Sequence, residues 1–166
     1  MSRLSRRLQW LLLAAAPALA GPDGGAPKGS AQRDACSLVS PAEVAQTLGY
    51  PEARVDPENS GHHAYLPLDL CNYVVKDNDP RGVMIKVHPA SDPSSAFSAA
   101  RLDAESDRKR VPEPIAGLGD EAQFQSYAVP PGGWVSFRKG NVGVSLQSSA
   151  SKEALIALAR RVASRL

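Results

Sequence analysis

The clearest structural pattern in this chain is WVSFRKGNVGVSLQ at residues 134–147. Apolar and polar side chains alternate on both sides of Gly140-Asn141, which is the pattern of strands that bury one face. A Gly-Asn pair between two such runs favours a two-residue turn, because glycine accepts the positive φ that this turn requires. The stretch therefore predicts two antiparallel strands joined by a tight hairpin.

The turn also determines which side chains of this hairpin share a face. Four apolar residues fall together as two opposed pairs, Phe137 with Val144 and Val135 with Leu146. Ser136 and Ser145 fall on the other face, which we expect to be the polar, solvent-facing one. Val144→Asp should therefore be costly because it buries a charge, whereas Ser145→Asp should cost little.

Three helices are predicted around this hairpin. Ser40-Pro41-Ala42-Glu43 has the layout of a capping box, and Gly49 supplies a stop, which places a first helix at about 41–48. Asp92-Pro93 repeats the start signal for a second helix, from 94 to about 109. Ser151 caps a closing helix whose apolar stripe, Leu155, Leu158, Val162 and Leu166, lies opposite Arg160, Arg161 and Arg165.

Further strands are predicted at 70–75, 83–87 and 121–128. The turn formers at 77–82 join the first two of these as an antiparallel hairpin, and Met84, Lys86 and His88 should form the wet face of its second strand. These connections are too short for parallel crossovers. The element order predicts an α+β fold: a mostly antiparallel sheet of about five to six strands, flanked by three helices.

The N-terminal residues have the features of an export signal. Residues 1–20 combine a basic start, a short apolar core and Ala18-Leu19-Ala20 before Gly21, which is a typical cleavage site. The apolar run is about half of the ~20 residues that a transmembrane helix needs. We interpret 1–20 as a cleaved signal peptide, 21–34 as a flexible leader and 35–166 as one domain, and we expect a periplasmic or secreted protein.

Composition excludes several classes of partner. The 166 residues are 43% hydrophobic and 22% charged, which fits a modest globular domain. Once the three arginines of the signal are removed, 16 Lys and Arg face 17 Asp and Glu, a formal net charge of −1. The mature chain therefore gives no reason to expect nucleic acid or an anionic membrane as a partner.

The two cysteines, Cys36 and Cys71, are expected to form a structural disulfide. The signal directs the chain to an oxidising compartment, where two cysteines allow one connectivity. The alternative is a reactive thiol or half of a metal site, but there is no Cys-x-x-Cys and no histidine spacing to support it.

The titratable clusters do not favour catalysis. His62-His63 are adjacent in a predicted loop, and neighbouring side chains seldom point at one metal. Asp120-Glu121 look like a carboxylate pair, but their side chains should diverge if Glu121 starts a strand. Neither a nucleophile elbow nor a phosphate loop is found. We predict no metal, no cofactor and no catalytic residue.

Several segments resemble one family of bacterial proteins. These are Cys36 to Val44 (CSLVSPAEV), Cys71-Asn72-Tyr73, Ile115 to Ala122 (IAGLGDEA) and Arg138 to Asn141. They look like exported bacterial envelope domains of unknown function, many of them lipoproteins that open with Cys-Ser-Leu-Leu-Thr. The resemblance implies an α+β fold similar to the PsbP/Mog1-like sandwich and carries over no catalytic residue. This chain departs from the family by lacking a lipobox cysteine.

Two functional classes follow from the sequence. The first is a non-catalytic envelope module that binds a protein or a small ligand, and the second is a small periplasmic hydrolase or metal-dependent enzyme. The scattered titratable groups favour the first. For it we expect Gly117 and Gly119 to form a tight turn in which Asp120 bonds backbone amides, at the lip of a ligand groove.

Overall fold

The computed structural model describes residues 34–63, 65–75, 81–102, 110–128 and 131–166. Within them lie a short 3-10 helix, Ala35–Ser37, and three α-helices: α1 Pro41–Leu48, α2 Pro93–Arg101 and α3 Lys152–Ser164. The strands are β1 Arg54–Val55, β2 Gly61–His63, β3 Leu68–Val74, β4 Gly82–Pro89, β5 Glu113–Pro114, β6 Glu121–Ser126, β7 Gly133–Lys139 and β8 Val142–Ser148. The α+β class is confirmed.

One sheet contains every strand of the described residues. Its order is β1-β3-β4-β8-β7-β6-β5, all pairs are antiparallel, and β2 also pairs with β3. Only β4–β8 joins strands that are distant in sequence, and it aligns Val83 with Ser148 and Pro89 with Val142. The sheet therefore consists of two local meanders joined at its centre.

The closing hairpin has the predicted register. Phe137 pairs with Val144 and Val135 with Leu146, and all four side chains are fully buried. Gly140 has a φ of 58°, as a turn residue of this type requires. The local pattern of residues 134–147 was therefore sufficient to specify this element.

Both faces of the sheet are covered, so the solvent-facing role predicted for Ser136 and Ser145 is wrong. Ser136 is 1% and Ser145 3% exposed, because α2 packs across this face. The Ser136 hydroxyl donates to the carbonyl of Ala100, 2.9 Å away. Helix α2 lies so close to β8 that a Cβ at Gly143 would collide with the carbonyl of Ala96. Ser136, Gly143 and Ser145 are small where α2 packs over β7 and β8.

The opposite face carries the main core. Buried residues of α1, of α3 and of the segment around the 3-10 helix pack there against the sheet; among them are Leu38, Val44, Leu155, Leu158 and Val162. Helix α1 begins with the predicted capping box, since Ser40 Oγ accepts from the N–H of Glu43 and Glu43 accepts from the N–H of Ser40. Gly49 ends the helix with a φ of 70°.

The N-terminal segment is attached to β3 by the predicted disulfide between Cys36 and Cys71. Next to it, the buried hydroxyl of Tyr73 donates to the carbonyl of Val39 at 2.6 Å. Burial raises the pKa of Tyr73 to about 12, and the charges of Asp34 and Glu43 add to this effect. Tyr73 is therefore a neutral structural residue rather than a candidate base.

The sheet is larger than predicted, with eight strands instead of five to six. The additional strands, β1, β2 and β5, have only two or three residues, which is too short for a periodic pattern. The predicted second helix begins at Pro93 and ends at Arg101. Its expected continuation at 103–109 lies outside the described residues, as do the signal at 1–20, the leader at 21–33 and most of the turn at 77–82.

Burial on both faces changes the expected effect of an aspartate at position 145. Ser145→Asp should lower the free energy of unfolding by about 3 kcal/mol or more, because it places a carboxylate under α2. The matched control is Ser98→Asp, on the exposed side of the same helix, and it should change stability by less than about 0.5 kcal/mol. Urea unfolding of both variants measures the difference, and equal small effects would contradict the packing of α2.

The disulfide should contribute strongly to stability. It joins residues 35 positions apart, and a loop of that size removes roughly 3 to 4 kcal/mol of denatured-state entropy. We expect the double variant Cys36→Ser/Cys71→Ser to lose about that amount in urea unfolding. Thiol titration of the denatured, unreduced mature protein should find no reactive thiol, whereas two per chain would show that the bridge does not form.

Candidate functional site

The segment between β5 and β6 forms the tight turn that the sequence predicted. Gly117 has a φ of 68° and Gly119 a φ of 60°, both in the left-handed region. The turn is held at its base by two backbone bonds, from Ile115 N–H to the Ala122 carbonyl at 3.0 Å and from Asp120 N–H to the Arg138 carbonyl at 2.9 Å. The glycines thus allow the chain to reverse within a few residues and to lie close to β7.

The prediction that the side chains of Asp120 and Glu121 diverge is wrong, because both lie against Arg138. The Nη1 of Arg138 lies 3.1 Å from Asp120 Oδ2, and its Nε lies 3.4 Å from Glu121 Oε2. Asp120 also accepts from the N–H of Gly140 at 2.7 Å, so the prediction that it bonds a backbone amide is confirmed. Both carboxylates thus share Arg138 as their cationic partner, and this contact links the turn to β7.

A cleft of about 300 Å³ opens beside this turn. We call it the glycine-loop cleft; its lining residues are Gly117, Leu118, Gly119, Lys139, Arg160, Ala163 and Ser164. Leu118 and Ala163 are buried and form an apolar wall, while Lys139 and Arg160 are exposed. The Nζ of Lys139 donates to the Ala163 carbonyl at 3.0 Å, which holds its ammonium group at the end of α3. The cleft therefore combines an apolar wall with two cations.

Glu43 pairs with two arginines at the C-terminal end of α3, Arg161 and Arg165. Arg165 donates through Nη1 to Glu43 Oε2 at 2.9 Å and contacts Oε1 through Nη2, and Arg161 lies 3.9 Å from the same carboxylate. The bond from Arg165, followed by those from Ser40, lowers the pKa of Glu43 to about 2. Lys139 and Arg160, in contrast, form no ion pair with any residue that the structure describes.

The two adjacent histidines lie on a strand and not in the predicted loop. His62 and His63 are exposed residues of β2. His62 Nδ1 lies 3.1 Å from Oδ1 of Asp69, its partner across the strands, and the Asp69 side chain is only 7% exposed. Within the described residues, no group of three or more His, Cys, Asp or Glu side chains could hold a metal ion.

A second cleft, of about 320 Å³, lies near the opposite end of the sheet. Asn72, Arg81, Met84, Tyr127 and Gln147 contribute to its walls. Burial raises the pKa of Tyr127, whose hydroxyl is hydrogen-bonded to Gln147. Two of the polar side chains of this cleft, Tyr127 and Gln147, are therefore bonded to each other.

Of the residues predicted to bind a ligand, Gly117 and Gly119 line the glycine-loop cleft, and Asp120 braces the turn behind it. From the sequence, Arg160 was expected only on the polar face of a helix, and no functional role was predicted for Lys139 or Asp69. A signal for Asp69 existed, since it is a charged residue between Leu68 and Leu70 of an apolar strand. Lys139 and Arg160 carried no such signal, because only the fold brings them together.

Comparison with known proteins adds no functional information. No protein-family model matches the chain, and no curated protein matches its sequence significantly. Within the described parts of the chain, no helix is long and apolar enough to cross a membrane.

The two glycines of the turn should differ sharply in their tolerance to substitution. Gly119→Ala should destabilise the protein by about 3 kcal/mol or more, because the new Cβ overlaps the carbonyl oxygen of Arg138 at a positive φ. Gly117→Ala, with a similar φ and open space around its Cβ, should cost only about 1 kcal/mol. Thermal unfolding of the two variants checks this order, and equal losses would contradict the placement of the turn against β7.

Proposed function

We propose that this protein is an exported, non-catalytic binding module of the bacterial envelope and that the glycine-loop cleft is its ligand site. One observation carries the proposal: the cleft joins a buried apolar wall to two cations that no described residue neutralises. Ligand sites are typically concave, mostly apolar surfaces with a few placed polar groups. Gly117 and Gly119 shape this surface, and Asp120 stiffens it.

The proposed destination is supported by the cysteines. Cys36 and Cys71 are bonded to each other, as expected of a protein that matures in an oxidising compartment. The signal peptide predicted at 1–20 and the resemblance to exported envelope domains agree with this. We therefore place the mature chain in the periplasm or outside the cell.

The proposal of a non-catalytic role is supported by the ion pairs of the candidate acidic residues. Asp120 and Glu121 are both paired with Arg138. General acid–base catalysis needs a titratable group that is positioned to exchange a proton with a substrate. The titratable side chains that line the glycine-loop cleft are instead a lysine and an arginine.

A second candidate, a small hydrolase or metal-dependent enzyme, is favoured by the His62–Asp69 pair. A carboxylate that orients a histidine is part of many catalytic sites. In the residues that the structure describes, however, no serine or cysteine side chain is hydrogen-bonded to His62. Hydrolysis of esterase, peptidase, phosphatase or glycosidase substrates, abolished by His62→Ala or Glu121→Gln, would establish the enzyme instead.

A steric block tests the binding function directly. Ser164 lies on the rim of the cleft, so Ser164→Trp should fill it while leaving the core intact. We expect small molecules that shift the amide resonances of 117–119 in the mature protein to lose this effect in Ser164→Trp. They should keep it in the control Ser98→Trp, on an exposed face of α2. If a library of acids, alcohols, amines, sugars and short peptides gives no such ligand, the proposal fails.

A further inference from the structure

We propose that the glycine-loop cleft binds a small carboxylate that carries an apolar group. This inference rests on the proposed function, since it assigns a ligand class to the same site. The two parts of such a ligand match the two parts of the cleft: the carboxylate would lie between Lys139 and Arg160, and the apolar group against Leu118 and Ala163.

The preference for an anionic ligand follows from the ion pairs that the surrounding acidic residues form. Asp120 and Glu121, the acids of the adjacent turn, are bonded to Arg138, and Asp120 also accepts from Gly140. On the other side, Glu43 is bonded to Arg165 and lies close to Arg161. These pairs leave the charges of Lys139 and Arg160 unbalanced on the two sides of one concavity. An anion would supply the missing charge.

The C-terminal end of helix α3 opposes the binding of an anion in this cleft. The partial negative charge at a helix C-terminus disfavours an anion by itself. Here Lys139 donates to the Ala163 carbonyl in the last turn, which offsets one part of that charge. An ammonium group has three donors, so Lys139 keeps donors for a ligand. Two full positive charges therefore outweigh the helix end.

The rest of the lining restricts the ligand to a small and mostly apolar body. The one neutral polar side chain of the lining is the hydroxyl of Ser164, which donates to the carbonyl of Arg161 in its own helix. A sugar or nucleobase would find few side-chain partners for its hydroxyl or ring nitrogen groups. The volume of 300 Å³ corresponds to about ten water-sized groups. This is the size of a carboxylic acid with a short hydrocarbon chain.

The test is a titration of the isotope-labelled mature protein with three probes. Hexanoate has both the charge and the apolar group, acetate has the charge alone, and hexylamine has the apolar group with the opposite charge. We expect hexanoate to shift the amide resonances of Gly117, Leu118 and Gly119 saturably. Acetate should bind at least about fivefold more weakly, because it lacks four methylenes, and hexylamine should not shift these resonances. Raising the salt concentration should weaken hexanoate binding.

Charge variants locate the interaction. Arg160→Gln and Lys139→Gln should each weaken hexanoate about threefold, as expected for exposed ion pairs. Lys139→Arg should retain binding because it keeps the charge. The control is Arg54→Gln on β1, an exposed arginine four strands away from β7 in the sheet, and it should leave hexanoate affinity unchanged. All three positions are exposed, so thermal unfolding should confirm that each of the four variants folds.

The outcomes separate this inference from the proposed function. If hexylamine binds as well as hexanoate, the carboxylate assignment is wrong. It is also wrong if both Arg160→Gln and Lys139→Gln leave the hexanoate affinity unchanged. The binding function would still stand if another library member were blocked by Ser164→Trp. If that variant blocks nothing, both proposals fail.

Discussion

The antiparallel pairing of β4 with β8 holds the two halves of the sheet together. Every other strand pair is local or joins neighbouring segments, whereas this one aligns residues 83–89 with 142–148. It places the two hydrophobic meanders side by side, so that one continuous face exists for α1 and α3 to cover. It also creates the opposite surface, on which α2 crosses β4, β8 and β7. Gly143 and Ser136 are small because this crossing is close.

The elements with strong local signals were predictable, and the coverage of the sheet was not. The hairpin around Gly140 and the capped start of α1 depend on contacts within a few residues, which the sequence pattern encodes. The burial of Ser145 depends on where a separate helix packs. A serine that alternates with apolar residues in a strand can face solvent or lie beneath a packed helix. The local sequence does not distinguish these two cases.

The same distinction applies to the candidate site. The positive φ values of Gly117 and Gly119 were predictable because a Gly-x-Gly turn before a strand favours them. The convergence of Asp120 and Glu121 on Arg138 was not, since it requires the register of β6 with β7. Lys139 and Arg160 meet only because the last turns of α3 pack beside the end of β7. Tertiary packing therefore brings the two cations of the cleft together, whereas the turn that shapes the cleft is encoded in the local sequence.

The short strands at the two borders of the sheet have a further consequence. One border ends in β5, which has two residues and includes Pro114. At the other border, β1 and β2 cover β3, and the loop between them bonds both backbone groups of Asn72, through Ser60 Oγ and the N–H of Asp56. In the parts of the chain that the structure describes, neither border presents a long row of unpaired peptide groups to a second molecule. A sheet of this size would otherwise be prone to intermolecular strand pairing, so these borders protect the folded protein from edge-to-edge aggregation.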